Sequence, residues 1–331
     1  MTAPAVRPDA TVVIVSFNTR EVLRECLQTL QREAQGLHIE TFVVDNISRD
    51  HSAEMVETDF PWVILRRSGA NLGFAGANNV AFREATGRYV VILNSDAFLQ
   101  PGSLRLSIQK MDATPRCGLA GARLTGRDGS WQPSARMFPS PLNDLLTLTG
   151  LANQYPHSKF FGRFDRTWAD QAIAAEVDWV PGAFSIIRKD ALDQIGFFDE
   201  NFFLYYEEVD LCYRLKQAGW QVWYWPEIQV VHLGGESSKT VTSLKLSKSG
   251  SQLTLWRVRS GLLYFRKHHG PAAWWACQIE RSWHAVRARK NAGKPGLDSQ
   301  RKFEDSLVLV EVIAQAWKET QGGRISPARP W

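Results

Sequence analysis

Through its first hundred residues the chain alternates short apolar runs, each stopping at polar residues, with stretches of helical period. TVVIVSFN from Thr11, IETFVVDN from Ile39, WVILRR from Trp62 and YVVILN from Tyr89 have the length and β-branched content of buried strands. Between them, REVLRECLQTL puts Val22, Leu23, Cys26, Leu27 and Leu30 on one helical face. A second helix starts near Ala53, and ANLGFAGANNVAFREATG reads as a loop and helix closed by Gly87. Strands alternating with helices predict an α/β fold whose mostly parallel central sheet is covered on both faces.

Beyond GLAGARL, a further strand, the period is lost from about Thr125 to Ala175, a length typical of binding loops or lids. VDWVPGAFSIIR predicts a strand pair or a bulged strand around Pro181 and Gly182, followed by a short helix to Ile195. YYEEVDLCYRLKQAG predicts an amphipathic helix ending at Gly219, and WQVWYWP and IQVVHLG predict two strands. From about Ser237 the chain turns rich in Ser, Thr and Lys, as a mobile loop does, before a basic, tryptophan-bearing helical tail.

Open sheets of this kind bind ligands beyond the carboxyl ends of their strands. Ser16 and Asn18, Asp45 and Asn46, and the triplet Asn94, Ser95 and Asp96 are therefore expected in one crevice. Asp96 suits a divalent cation held against a pyrophosphate, or equally a helix cap. His232, ending an apolar strand before two glycines, favours the metal reading, and imidazole beside carboxylate suits Mn²⁺ better than Mg²⁺. On the YYEEVDLCYRL helix, Glu207 and Asp210 share a face, Arg214 follows one turn on, and Glu208 points elsewhere. Such acids serve the helix macrodipole or, in a desolvated pocket, a general base.

Composition narrows the class only a little. At 331 residues, with 44% hydrophobic and 22% charged residues, the chain is globular rather than fibrous or disordered. MTAPAVRPDA lacks the apolar core of a secretory signal, no apolar run is long enough for a bilayer, and Cys26, Cys117, Cys212 and Cys277 lack metal or redox spacing. These features point to the cytoplasm. The net charge of +5 is concentrated late: Arg257, Arg259, Arg266, Lys267, Arg281, Arg287, Arg289 and Lys290 face a single acid, Glu280, in that stretch.

Six motifs in order, VVIVSFN, VVDNISRD, NLGFAGANN, VVILNSDA, the long VDWVPGAFSIIRKDALDQIGFFDENFFLYYEEVDLCYRLKQAGW and VVHLGGES, resemble family 2 glycosyltransferases of the GT-A fold. Within that family the similarity is greatest to the bacterial rhamnosyltransferase-like branch that builds surface polysaccharide, and it covers roughly residues 10 to 240. The resemblance implies a Rossmann-like catalytic domain over 1–240, with a nucleotide-sugar half at about 10–125 and an acceptor half at about 126–240. A loop and helical tail would occupy 241–331. It implies an inverting transfer from a nucleotide donor, dTDP- or UDP-linked with dTDP-rhamnose leading, to a saccharide carried on polyprenyl diphosphate.

In that scheme NSD is the DxD-type site, with Asp96 and His232 on Mg²⁺ or Mn²⁺ and Asn94 a neutral partner. Asp45 would meet the nucleobase or ribose, with Ser16, Asn18 and Asn46 nearby and Asn71, Gly73 and Asn78 shaping that side. Trp179, Pro181, Gly182 and Glu207 would border donor sugar and acceptor. The family usually carries Glu-Asp before the last helix with the Asp as base. Here Glu207-Glu208 stands in its place, so the implied base is Glu208, with Asp210 a rival.

In the tail, Trp275, Ile279 and Trp283 fall near one helical stripe among basic residues. That pattern fits a peripheral helix on the inner face of the cell membrane, or a helix packing its aromatics on the catalytic domain. Two other classes remain open on sequence alone: a nucleotide-sugar-binding pseudoenzyme, and a nucleic-acid-binding module using the basic tail. No recognised RNA-binding motif accompanies the tail's aromatics, so no nucleic acid is expected as a partner.

Overall fold

The computed structural model describes residues 7–234 and 251–328. The loop expected from Ser237 lies outside the described residues. Strands β1 (Ala10–Ser16), β2 (Ile39–Asp45), β3 (Ile64–Arg67) and β4 (Tyr89–Leu93) interleave with helices α1 (Arg20–Glu33), α2 (Ser52–Asp59) and α3 (Gly73–Phe82). They pair in parallel in the order β3-β2-β1-β4, so chain order reverses between β1 and β4. A crevice opens at such a switch point.

The apolar runs are continuous because both faces of the sheet are covered. Val13, Val44, Val90 and Ile92 pack on the side of Ala77, Ala81 and Phe82 of α3, while Val12, Ile14, Val43 and Val91 pack on the side of Leu23, Leu27 and Leu30 of α1. Each of the Val, Leu, Ile and Phe side chains among them contributes about 1.5–3 kcal/mol when fully buried.

The second half completes the sheet with mixed pairing. β5 (Ala97–Leu99) leads to α4 (Ser103–Ala113) and β6 (Cys117–Thr125). The stretch without clean period holds β7 (Trp131–Gln132), α5 (Pro141–Leu148), α6 (Leu151–Gln154) and β8 (Ala175–Glu176). β9 (Phe184–Arg188) runs antiparallel between β4 and β6, and is followed by α7 (Lys189–Ile195) and α8 (Glu207–Gln217). The expected pair WQVWYWP and IQVVHLG forms one strand, β10 (Gln221–His232), parallel to β6. Its register shifts between Trp225 and Gln229, because Pro226 lacks an N–H and forces a local bulge rather than a turn.

The C-terminal extension is three helices, α9 (Ser251–His269), α10 (Ala272–Asn291) and α11 (Leu297–Glu319). Val258, Leu262, Cys277, Ile313 and Ala316 form its own small core. Leu263, Tyr264 and Phe265 of α9 belong to the main core beside α3 and α8, so α9 is packed into the body of the molecule. On α10, Ile279 and Trp283 are partly buried, whereas Trp274 and Trp275 are 46% and 57% exposed with rings 4.6 Å apart.

Candidate active site

The register of the sheet edge assembles the first group of site residues. β5 starts one residue after Asp96 and pairs antiparallel with the end of β10, His232 opposite Ala97. His232 Nε2 therefore lies 3.5 Å from Asp96 Oδ1 and 3.5 Å from Asn94 Nδ2. Asn94 Oδ1 is buried without a partner. Gln132 on β7 fixes the ring: its Nε2 donates to the His232 carbonyl at 2.8 Å, which turns its Oε1 to His232 Nδ1 at 2.9 Å. An amide oxygen only accepts, so a ring proton sits on Nδ1, and Nε2 faces Asp96 and the Asn94 amide nitrogen.

A carboxylate and an imidazole nitrogen side by side are ligand types that suit a Mg²⁺ or Mn²⁺ ion. Among the described residues no group of three or more His, Cys, Asp and Glu converges on one point. The donor set thus fits a cation whose remaining positions go to water or a diphosphate.

The residues at the ends of β1 and β2 are joined to this group by hydroxyls. Ser16, Thr19 and Ser95 form a buried chain, with 3.2 Å between the Ser16 and Thr19 oxygens and 3.1 Å from Thr19 to Ser95. Asp45 is 4% exposed; its Oδ2 accepts from the Ser48 amide at 3.2 Å, and its Oδ1 has no partner. Asn18 holds the same turn, accepting from the Arg49 amide at 2.7 Å and donating its own amide to Ser48 Oγ at 3.0 Å. Ile47 has φ +63°, a rare conformation for a β-branched residue and one that recurs at ligand clamps.

Asn46, Asn71 and Gly73 tie this turn to α3. Asn46 Nδ2 donates to Asn71 Oδ1 at 2.8 Å, and that oxygen also accepts from the Gly73 amide at 2.9 Å. Gly73 has φ +72°, and a Cβ there would meet the Phe203 carbonyl oxygen at 2.2 Å. Asn78 is fully buried in α3, its Nδ2 bonded to the Phe74 carbonyl and its Oδ1 unpartnered. Gly182 sits over the Phe74 ring, which a Cβ would approach to 3.3 Å, and both it and Pro181 are partly exposed. Trp179 is bridged to Arg136 and donates its indole N–H to the Met137 carbonyl at 2.9 Å.

The second carboxylate group forms at the start of α8. Tyr205 and Tyr206 have φ +69° and +68°, two consecutive left-handed residues immediately before Glu207. Glu207 Oε2 and Glu208 Oε2 are both buried without partners. Burial pushes the Glu207 carboxyl well above its ordinary range, and the Glu208 charge raises it further. Burial also raises Glu208, a rise that its own backbone amide, Arg136 and the Val209 amide offset only in part. Asp210 is different: it is fully buried, bonded to Arg214 at 2.8 Å, Lys267 at 2.7 Å and His268 at 2.6 Å. Its carboxyl is held at about 2, the bonds to His268, Arg214 and Lys267 outweighing the opposing effect of burial.

Among the described residues, five of the twelve buried unpartnered side-chain polar atoms belong to Asp45, Asn78, Asn94, Glu207 and Glu208. Buried polar groups ordinarily find partners, so each of these five atoms is a candidate ligand contact. Sequence reading missed Thr19, Gln132 and Arg136. Thr19 was accessible as a hydroxyl just after a strand end; Gln132 and Arg136 lie in the segment without period and carry no local signal.

This sheet, with its strand-end crevice and C-terminal helices, is a GT-A glycosyltransferase architecture. The glycosyl transferase family 2 model matches residues 11–196, and the chain belongs to that family. Over 232 residues, 67% of this chain and 75% of the relative, it is 29% identical to the N-acetylglucosaminyl-diphospho-decaprenol L-rhamnosyltransferase of Mycobacterium tuberculosis. It is 22% identical over 70% of this chain to the rhamnosyltransferase WbbL of Escherichia coli K12, covering 86% of that protein. In structure it is similar to the mannosyltransferase PcManGT from Pyrobaculum calidifontis, solved with GDP-Man and Mn²⁺: the TM-score is 0.57 at 16% identity, covering 96% of this chain and 89% of that one.

Proposed function

We propose that this glycosyltransferase is metal-dependent and inverting, moving L-rhamnose from dTDP-rhamnose to a saccharide on polyprenyl diphosphate during synthesis of bacterial surface polysaccharide. The observation that carries the proposal is the approach of Asp96 Oδ1 and His232 Nε2 to 3.5 Å at the strand ends, beside Asn94. The names of the two bacterial rhamnosyltransferase relatives support the choice of sugar, and the first also supports the lipid-linked acceptor.

Asp96 and His232 would hold Mg²⁺ or Mn²⁺, which neutralises the charge of a leaving diphosphate when bound. The unpartnered Asp45 oxygen offers an acceptor for a base N–H or a ribose hydroxyl. Glu208 takes the proton of the acceptor hydroxyl as that oxygen bonds to the anomeric carbon. The bond from carbon to the diphosphate oxygen breaks on the opposite face, and the nucleoside diphosphate leaves with that electron pair. Burial raises the Glu208 carboxyl, an effect that its own backbone amide and Arg136 offset in part, and neighbouring Glu207 is raised well above its ordinary range. Asp210 takes no part in the proton transfer in this scheme, since its bonds to His268, Arg214 and Lys267 hold it ionised and buried.

The solvent face of α10 supports peripheral membrane contact. Trp274 and Trp275 project there with exposed Arg281, Arg289 and Lys290, while Glu280 is turned inward to Arg257 at 2.5 Å. Among the described residues no helix is long and apolar enough to cross a membrane. Incubation with dTDP-rhamnose, Mn²⁺ and a synthetic N-acetylglucosaminyl-diphospholipid tests the proposal. It predicts a rhamnosylated product of inverted anomeric configuration, and no transfer, or transfer with retention, contradicts it.

A further inference from the structure

Two consecutive left-handed tyrosines before a helix are unfavourable and persist only where the surroundings hold them. Here the surroundings come largely from α9. The Ser260 hydroxyl donates to the Leu204 carbonyl at 2.8 Å, and Trp256 stacks on Phe203 with ring centres 4.5 Å apart. Tyr264 stacks on Tyr206 at 5.5 Å, and Gly261 lies under the Tyr206 ring, which a Cβ would approach to 3.3 Å. One turn further along α8, His268 Nε2 and Lys267 Nζ reach Asp210, and Lys267 also bonds Asp199 at 2.8 Å. Arg214, on the other oxygen of Asp210, donates to the carbonyls of Ile195, Gly196 and Phe197.

We infer that α9 is a positioning element for the catalytic carboxylates: Ser260 and His268 hold the turn at residues 204–206 and the first turn of α8 so that Glu208 meets the acceptor. The family match stops at residue 196, so the function of this brace is carried by chain beyond it. The same turn touches the nucleotide side, because the Phe203 carbonyl accepts from the Phe74 amide at 2.9 Å and lies against Gly73. A helix late in the chain thereby links the base to the crevice wall. The inference rests on Glu208 acting in transfer, and its readouts separate the two.

The test uses the full chain as wild type, Ser260→Ala, His268→Ala and His268→Gln, the last keeping a donor for Asp210. Hydrogen exchange is followed in a peptide spanning 203–211, which contains the Asp210 amide bonded to the Tyr206 carbonyl at 2.8 Å. Exchange there is expected to quicken about tenfold in Ser260→Ala and His268→Ala, with β1 to β4 unchanged, and to return towards wild type in His268→Gln. In the transfer assay, kcat is expected to fall about tenfold or more with donor KM unchanged, again with rescue by glutamine. Unchanged exchange at 203–211, uniform loosening of the whole chain, or equal loss in His268→Ala and His268→Gln would overturn the inference. If wild type transfers no sugar, the proposed function fails while the exchange measurements still decide the brace.

Discussion

Gln132 and His232 stand in a reciprocal pair: the glutamine amide donates to the histidine carbonyl at 2.8 Å and accepts from the ring nitrogen Nδ1 at 2.9 Å. The pair fixes the ring so that Nε2 faces Asp96. Partners of this kind behind a metal-binding histidine are worth about tenfold to a hundredfold in metal affinity. Gln132→Leu is therefore expected to weaken Mn²⁺ binding by that factor, measured by Mn²⁺ electron spin resonance, while the melting temperature barely moves.

The two acidic candidates on α8 separate by substitution. Glu208→Gln is expected to lower transfer roughly 10²- to 10⁴-fold while leaving nucleotide affinity nearly intact, as removal of a general base does. Turnover at the wild-type rate in this variant would exclude Glu208 as the base.

Asp210→Asn should act on stability. The folded Asp210 carboxyl is held at about 2 against an ordinary 3.8, so its contribution is present above 3.8 and lost as pH falls through about 2. Urea unfolding at pH 7 should show a loss of about 2 kcal/mol for the variant. The gap to wild type should narrow as the pH is lowered.

Burial raises Glu208, so the proton leaves it at a higher pH than from an ordinary glutamate, and kcat/KM should fall on the acid side at correspondingly higher pH. Arg136 opposes that shift. Arg136→Gln removes part of the opposition, and the acid limb of the pH profile should move to still higher pH. A shift to lower pH would contradict the assignment.

On α10, replacing both exposed tryptophans, Trp274→Ser with Trp275→Ser, should abolish co-flotation with anionic vesicles and leave transfer to a water-soluble acceptor unchanged. Flotation equal to wild type would remove the membrane contact from the account.

Much of this was legible in the sequence, for physical reasons. Runs such as Val12 to Val15 and Val90 to Leu93 are buried on both faces or nearly so, and continuous apolar strands followed by polar ends need little tertiary information to read. The meeting of Asp96 with His232 depends on β5 pairing with β10 across more than a hundred residues, which only residue chemistry, not spacing, suggested. α5 lay unread although Ser140 caps it, accepting from the Asn143 amide at 3.1 Å, and Pro141 opens it. Its signal was local and was masked by the irregular chain around it. The packing of Tyr264 on Tyr206 and the fixing of Asp210 by His268 are tertiary contacts between an acidic helix and a distant basic one, and no pattern within either segment encodes them.

Calorimetric titration of the purified chain with dTDP, UDP and GDP, each with and without Mn²⁺, tests the central claim most directly. The account predicts Mn²⁺-dependent binding of a pyrimidine nucleotide that Asp96→Ala abolishes. Binding that ignores both Mn²⁺ and Asp96→Ala, or no binding of any of the three, would contradict it.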